Sequence, residues 1–239
     1  MTNELTFDEE THTYYWNNKP LISVTTVIGQ YFKPFDAKAI ARVKAATARK
    51  NGTEGPYPDY WISKWRDDAD HGTRVHNAIE KWLTTWQTTD FLDARDKSKF
   101  TQAQKFLNKN DYKVVLPEYR VVAPNIELAG TVDLIVRNEE DGTISLIDWK
   151  TNKAISKSGF KGERVREPLS HLEACSLTKY SLQLQLYAWI LENVYAESVR
   201  DLKLVHLSPT KYVEYDIPVN YDDVLLLLTD YLEANNVTA

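Results

Sequence analysis

The stretch GTVDLIVRNEEDGTISLIDWKTNK, Gly130 to Lys153, constrains the fold more than any other segment of the chain. Two β-prone runs flank Asp141-Gly142, a strong hairpin signal because both residues tolerate the positive φ of a tight turn. Side chains alternate faces along a strand, so Ile144, Leu146, Asp148 and Lys150 point one way and Ile147 and Trp149 the other. On the preceding strand Thr131, Asp133 and Ile135 share a face. Asp148 and Lys150 are then neighbours, with α-carbons about 6 to 7 Å apart, and the hairpin lays the strand of Asp133 beside them. The plain alternative is an exposed strand edge carrying an Asp–Lys pair that does little.

Carboxylates on two adjacent strands offer hard oxygen ligands, which suit Mg²⁺ or Mn²⁺. An ion held there beside a phosphate polarises it, lowers the pKa of a water and offsets charge that develops during displacement. Lys150 is placed to hold or help deprotonate that water and to counter the growing negative charge. The charged hairpin therefore points to metal-assisted phosphodiester hydrolysis.

The rest of the chain frames this hairpin. Residues 5 to 22, LTFDEETHTYYWNNKPLI, predict a small β-hairpin turning at Asn17-Asn18. Apolar residues at helical spacing predict helices over 23–32, 36–50, 59–68, 72–86 and 97–108, interrupted at Pro34, Gly52, Gly55 and Pro56. After Asp111 come three strands in YKVVLPEYRVV, IELAGTVDLIV and TISLIDWKT, then a polar, basic loop over 152–176. A helix follows over 181–195, strands over 202–207 and 212–217, and a closing helix over 221–234. This order predicts an α/β core with an antiparallel portion and helical decoration. A chain of 239 residues, 43% hydrophobic, suffices for one sizeable domain spanning 1–239, its first 110 residues mainly helical and residues 111–239 the α/β core.

Composition narrows the classes. Cys175 is the sole cysteine, which excludes an intrachain disulfide framework and a cysteine-only zinc or iron–sulfur site and fits a reducing cytoplasm. No apolar run approaches the roughly 20 residues that span a bilayer, so no membrane association is expected. The net charge of −5 argues against nonspecific coating of nucleic acid but leaves room for a local basic groove. Two segments depart from the acidic average: Lys33 to Lys50 has six basic residues against Asp36, and Lys150 to Arg166 has six against Glu163.

The GTVD and LIDWKT segments resemble the core of the PD-(D/E)XK phosphodiesterase superfamily, with Asp133 as first acid, Asp148 as second and Lys150 as the lysine. GTRVH (Gly72 to His76) is similar to the Gly-x-x-x-His motif of its RecB-like exonuclease branch, and QLQLY (Gln183 to Tyr187) to that branch's Gln-x-x-x-Tyr motif. PLISVTTVIGQYF resembles the Ser-Val-Thr entry of phage members. The literal Pro-Asp is absent, Val132 preceding Asp133 in the Gly-x-x-Asp form usual in this branch.

The resemblance implies a restriction-endonuclease-like fold, a mixed central sheet flanked by helices, with a helical N-terminal extension. It implies a Mg²⁺-dependent DNA exonuclease, with Mn²⁺ as substitute, acting in recombination, repair or replication, and a helicase or single-strand annealing protein as partner. The rivals are a structure-specific or nicking endonuclease and a catalytically silent DNA-binding module. No iron–sulfur cluster is expected, since the cysteines that ligate one in some relatives are missing.

Carried onto this sequence, the resemblance makes His76, Asp133, Asp148 and the carbonyl of Trp149 metal ligands, with Glu80 orienting the imidazole. Glu118 is assigned a second metal or the orientation of Lys150. Gln183 and Tyr187 are expected to meet DNA backbone or steady the lysine strand. Lys153, Lys157, Lys161 and Arg164, on a flexible segment leaving the catalytic strand, are expected to grip phosphates, with the Lys33 to Lys50 region as opposite wall. Tyr57, Tyr60, Trp61 and Trp65 either stack unpaired bases or pack a helix. His71 is read as a capping or surface residue.

Overall fold

The computed structural model describes residues 4–91, 93–110, 112 and 114–235; Lys113, in the first predicted core strand, and the chain ends lie outside them. The N-terminal hairpin is a three-stranded meander of β1 (Leu5–Asp8), β2 (Thr13–Trp16) and β3 (Lys19–Ser23). Asn17 and Asn18, at φ 50° and 67°, make the β2–β3 turn. Ser23 then caps helix α1 (Val24–Gln30) through the amide of Thr26. Asp36 caps α2 (Ala37–Asn51), and Gly52 ends it at φ 64°.

The helices expected over 59–68 and 72–86 are one helix of 28 residues, α3 (Pro58–Thr85). The residues between them gave no apolar signal because the one buried there is His71, 2% exposed. Gly72 sits inside α3 where the helix runs against Thr151: a β-carbon there would lie 3.0 Å from the threonine hydroxyl. Helix α4 (Ala94–Asn110) completes the first half. The core strands are β4 (Val114–Ala123), β5 (Leu128–Arg137) and β6 (Ile144–Lys150), followed by α5 (Ser176–Tyr195), β7 (Val199–Leu207), β8 (Tyr212–Ile217) and α6 (Asp222–Asn235).

The eight strands form one mixed sheet in the order β1-β2-β3-β5-β6-β7-β8, with β4 also paired to β5. β4 covers one edge of β5 along its length. The other edge is shared: β3 pairs in parallel at Leu128 and Ala129, and β6 pairs antiparallel from Leu134 to Arg137. Between them, at residues 130–133, that edge has no strand partner among the described residues, and the sheet forks.

One face of the sheet packs on α1, α5 and α6, with Ile135, Ile144 and Leu146 facing them. The other packs on α3 and α4, which meet Leu134, Val136, Ile147 and Trp149. The alternation predicted for the hairpin therefore holds from Leu134 through Trp149, but not through Val132, which joins the same core as Ile135. The helices anticipated as an N-terminal extension form a full layer of the fold instead: Val75, Ile79, Phe100 and Phe106 are core residues. No described helix is long and apolar enough to cross a membrane.

The basic segment after β6 is fastened rather than free. Ser156 and Ser176 close its neck through reciprocal amide-to-hydroxyl bonds of 2.7 and 2.9 Å. Val165 and Leu169 are buried, and the Arg166 amide donates to the Tyr31 carbonyl at 2.9 Å. Val165, Leu169 and Cys175, three buried apolar residues in 25, are too few to register as periodicity.

Candidate metal and catalytic site

The fork brings the charged residues together. Asp133 lies where β5 has lost its strand partner, and its Oδ2 accepts the Trp149 amide at 2.7 Å, replacing the ladder bond the strands would otherwise make. His76 comes from α3, in the layer beneath, and places Nδ1 3.6 Å from Asp133 Oδ2 and 4.0 Å from Glu118 Oε1. One ligand atom from each of His76, Glu118 and Asp133 lies within 4.8 Å of the others. Donors from one helix and two strands meet here, beside the open edge of the sheet.

Glu118 is set in place by distorted backbone. The β4–β5 register passes from Pro117↔Leu134 to Tyr119↔Val132 and skips the pair between them, Glu118 and Asp133. Glu118 adopts φ 47°, the left-handed region that side chains other than glycine avoid. Such strain costs about 1–3 kcal/mol and persists where the surroundings enforce it, commonly at functional sites.

Electrostatics mark the cluster as short of positive charge. Burial, then Asp133, Glu80 and Asp148, push the Glu118 carboxyl up to about 8, against a small opposing pull from Arg120. Burial raises Asp133, opposed by Lys150 and the Trp149 amide. His76 falls to about 4, through burial first and Lys150 second, with Asp148 and the backbone of Trp149 opposing. The neutral imidazole is ready for a divalent cation, whereas the Glu118 carboxyl must release its proton to join it.

Asp148 lies next to this cluster with both oxygens engaged. Oδ1 accepts the Gln183 side-chain amide at 3.1 Å, and Oδ2 lies 2.7 Å from Lys150 Nζ. Its carboxyl rises to about 6 by burial, with Lys150 opposing and Asp133 adding. For Lys150 burial is the largest influence and works against the charge, yet Asp148 and Asp133 together outweigh it and hold its pKa above the usual value. The Tyr180 ring lies 4.5 Å from Lys150 Nζ and steadies the cation from a further side.

Tyr187 is 3% exposed, and its ring lies on Gly130. A β-carbon at Gly130 would come within 2.6 Å of the ring and 2.9 Å of the phenol oxygen. The glycine of Gly-x-x-Asp and the tyrosine of Gln-x-x-x-Tyr thus require each other. Tyr187 is buried against the sheet, while Gln183 is half-buried and donates its side-chain amide to Asp148, a placement in line with steadying the lysine strand. Trp149 buries its ring with α4, 5.5 Å from that of Phe106, and turns its backbone to the site.

Other expected residues are placed as follows. Glu80 lines the groove on the Glu118 side and loads that carboxyl, but makes no hydrogen bond to His76 among the described residues. Lys153 lines a basic groove of about 650 Å³ beside the site, whose opposite wall is Lys64 and Lys99 rather than the Lys33 to Lys50 region. Lys157 lies over the Tyr215 ring, Lys161 over Phe160, and Arg164 pairs with Glu173 at 3.2 Å. Of the four aromatic residues before α3 and in its first turns, Trp61 bonds the Gly55 carbonyl at 2.9 Å, Tyr60 and Trp65 make edge contacts, and Tyr57 alone stands 69% exposed.

Sequence reasoning missed a buried polar network between α3 and α4. Asp96 accepts from Arg74 and pairs with His71, and Lys99 donates to the Thr151 carbonyl just beyond β6. No spacing rule links residues 25 positions apart on two helices.

The chain belongs to the PD-(D/E)XK nuclease superfamily, whose family model matches residues 33–220. It is accordingly a nuclease, a hydrolase of phosphodiester bonds, in a family that implies DNA as substrate and typically employs divalent metal ions. Solved structures similar to it include SSO0001, at 17% identity and TM-score 0.40 over 90% of this chain and 76% of that one. Another is a presumed exonuclease from Eubacterium rectale, at 12% identity and TM-score 0.30 over 86% of this chain and 66% of that one. Among curated proteins no match is found.

Proposed function

We propose that the protein is a Mg²⁺-dependent DNA exonuclease of the RecB-like, phage-associated type, removing nucleotides from DNA ends during recombination, repair or replication, with a helicase or single-strand annealing protein as partner. The observation that carries the reading is the convergence of His76, Glu118 and Asp133 within 4.8 Å, beside the Lys150–Asp148 pair.

The donor set is one imidazole and hard carboxylates, which fits Mg²⁺ or Mn²⁺ better than a thiophilic ion. When bound, the ion would polarise the scissile phosphate and acidify a water. We assign it to His76, Glu118 and Asp133, with Asp148 and the Trp149 carbonyl adjoining it. Lys150 orients the attacking water and counters charge on the phosphate. Asp148 fixes the ammonium group, Gln183 fixes Asp148, and Tyr187 seated on Gly130 fixes the helix that carries Gln183. Lys153 and Lys64 contact phosphates that flank the scissile bond.

The test is time-resolved digestion of single- and double-stranded DNA labelled separately at each end, with Mg²⁺ and with chelator. Stepwise loss of nucleotides from an end in Mg²⁺ alone is the expected result. Cleavage of a covalently closed circle overturns the exonuclease reading in favour of an endonuclease, and binding without cleavage identifies a silent DNA-binding module.

A further inference from the structure

Among the described residues outside the site, the largest exposure of a large apolar side chain belongs to Phe160, at 77%. Its position is not that of a loose tip. The loop that carries it leaves β6 at Lys150 and, six residues on, is pinned back to the start of α5 by the Ser156–Ser176 bonds, one turn before Tyr180 and two before Gln183. Phe160 thus stands on a closed loop inserted between the two elements that hold the catalytic lysine.

The loop is built to hold the ring outward. The Gly159 amide donates to Glu173 Oε2 at 2.9 Å, and a β-carbon at Gly159 would meet the Glu163 carbonyl at 2.0 Å, so only glycine fits. Lys161 takes φ 55° and Gly162 φ 77°, and the Ala174 amide closes the turn on the Glu163 carbonyl at 2.9 Å. Backbone so constrained does not fold the ring back onto the core.

Beneath the ring lies a pocket of about 610 Å³ lined by Phe32, Lys33, Phe160, Lys161 and Lys179, with serine hydroxyls and no carboxylate. Two acids adjoin it: Glu163, 4.0 Å from Lys33, and Glu173, engaged by the Gly159 amide at 2.9 Å and by Arg164 at 3.2 Å. In a chain of net charge −5 this combination of aromatic faces and ammonium groups is complementary to one kind of ligand unit, a planar base joined to a phosphate.

We infer that the pocket under Phe160 is a nucleotide subsite, in which Phe160 stacks on an unpaired base of the strand leading to the cleavage site while Lys33, Lys161 and Lys179 hold its phosphate. This rests on DNA being the substrate, and not on the metal chemistry. Stacking of one base is worth about 1–3 kcal/mol, which is roughly 5- to 150-fold in affinity.

The experiment is equilibrium binding, by fluorescence anisotropy in chelator, of an end-labelled single strand and of a series in which one base at a time is removed to leave an abasic position. Phe160→Ala is expected to bind the intact strand about 5- to 150-fold more weakly, Phe160→Trp to bind as the parent does, and one abasic position to abolish the difference between parent and Phe160→Ala. Equal affinities of parent and Phe160→Ala overturn the subsite. A loss that persists at every abasic position overturns it as well, since the side chain then acts on no base. If Phe160→Ala binds DNA in chelator and digests it in Mg²⁺ as well as the parent does, the subsite alone falls; if the parent neither binds DNA in chelator nor digests it in Mg²⁺, the nuclease reading falls with it. A change in the oligomeric state of Phe160→Ala with unaltered DNA affinity overturns the subsite and identifies a second copy of the chain as the occupant.

Discussion

Glu118 concentrates the electrostatic stress of the site in one carboxyl. Its folded pKa of about 8 exceeds the ordinary value of 4.5, so between those limits the folded state holds a proton that the unfolded state has released. Stability of the metal-free protein therefore falls as pH rises through that window. His76 acts in the opposite sense: its neutral form contributes stability that is present above pH 6.5 and lost as pH falls towards about 4. Removing the Glu118 charge removes the first effect, so Glu118→Gln raises the melting temperature in chelator, and the gain grows from pH 5 to pH 8. Melting curves that show a constant gain, or a loss, refute this assignment. Lys150 stands at the other pole, paired with Asp148 at 2.7 Å. Lys150→Ala is expected to lower kcat about a hundred- to ten-thousandfold with little change in KM, because the ammonium serves the reaction more than the binding. Steady-state kinetics in which KM alone changes would make Lys150 a phosphate clamp.

At the scale of elements, β5 and α5 are fitted to each other through Gly130 and Tyr187. The ring leaves 2.6 Å for any β-carbon at Gly130, and a buried ring has nowhere to retreat. Gly130→Ala is expected to cost about 1–3 kcal/mol, and Tyr187→Leu in the same chain to recover part of it; urea unfolding of the two single variants and the double measures the coupling, and additive effects would show that the contact does not decide the fit. The strands and their faces were legible in the sequence because period-two alternation and the Asp141-Gly142 turn are local signals. So were Asp133, Asp148, Lys150 and His76, each embedded in a short motif. Less legible was Glu118 as a close partner of His76, since its reach depends on a φ of 47° that no residue pattern announces. Also hidden were the continuity of α3 through His71 and the Asp96 network, because both depend on which polar residue finds a buried partner on another helix. The loop after β6 looked mobile by composition and proved anchored by Val165 and Leu169.

For the molecule as a whole, the fork in the sheet is the organising feature. It admits an imidazole from one helical layer to carboxylates backed by the other, and two grooves open from it, one basic with Lys64, Lys99 and Lys153, the other bearing Glu80 and Glu118. On the proposed reading, a polyanion would enter on the basic side while a cation would offset the acidic one. Because the cation needs ionised carboxylates and neutral imidazole, its binding also stabilises the fold, increasingly so as pH rises towards 8. The most direct test of this account is an anomalous difference map from crystals soaked in Mn²⁺. A peak is expected within coordinating distance of His76, Glu118 and Asp133, absent in Asp133→Asn; a map without density there, or with the ion bound elsewhere and the fork empty, contradicts a metal site at the fork.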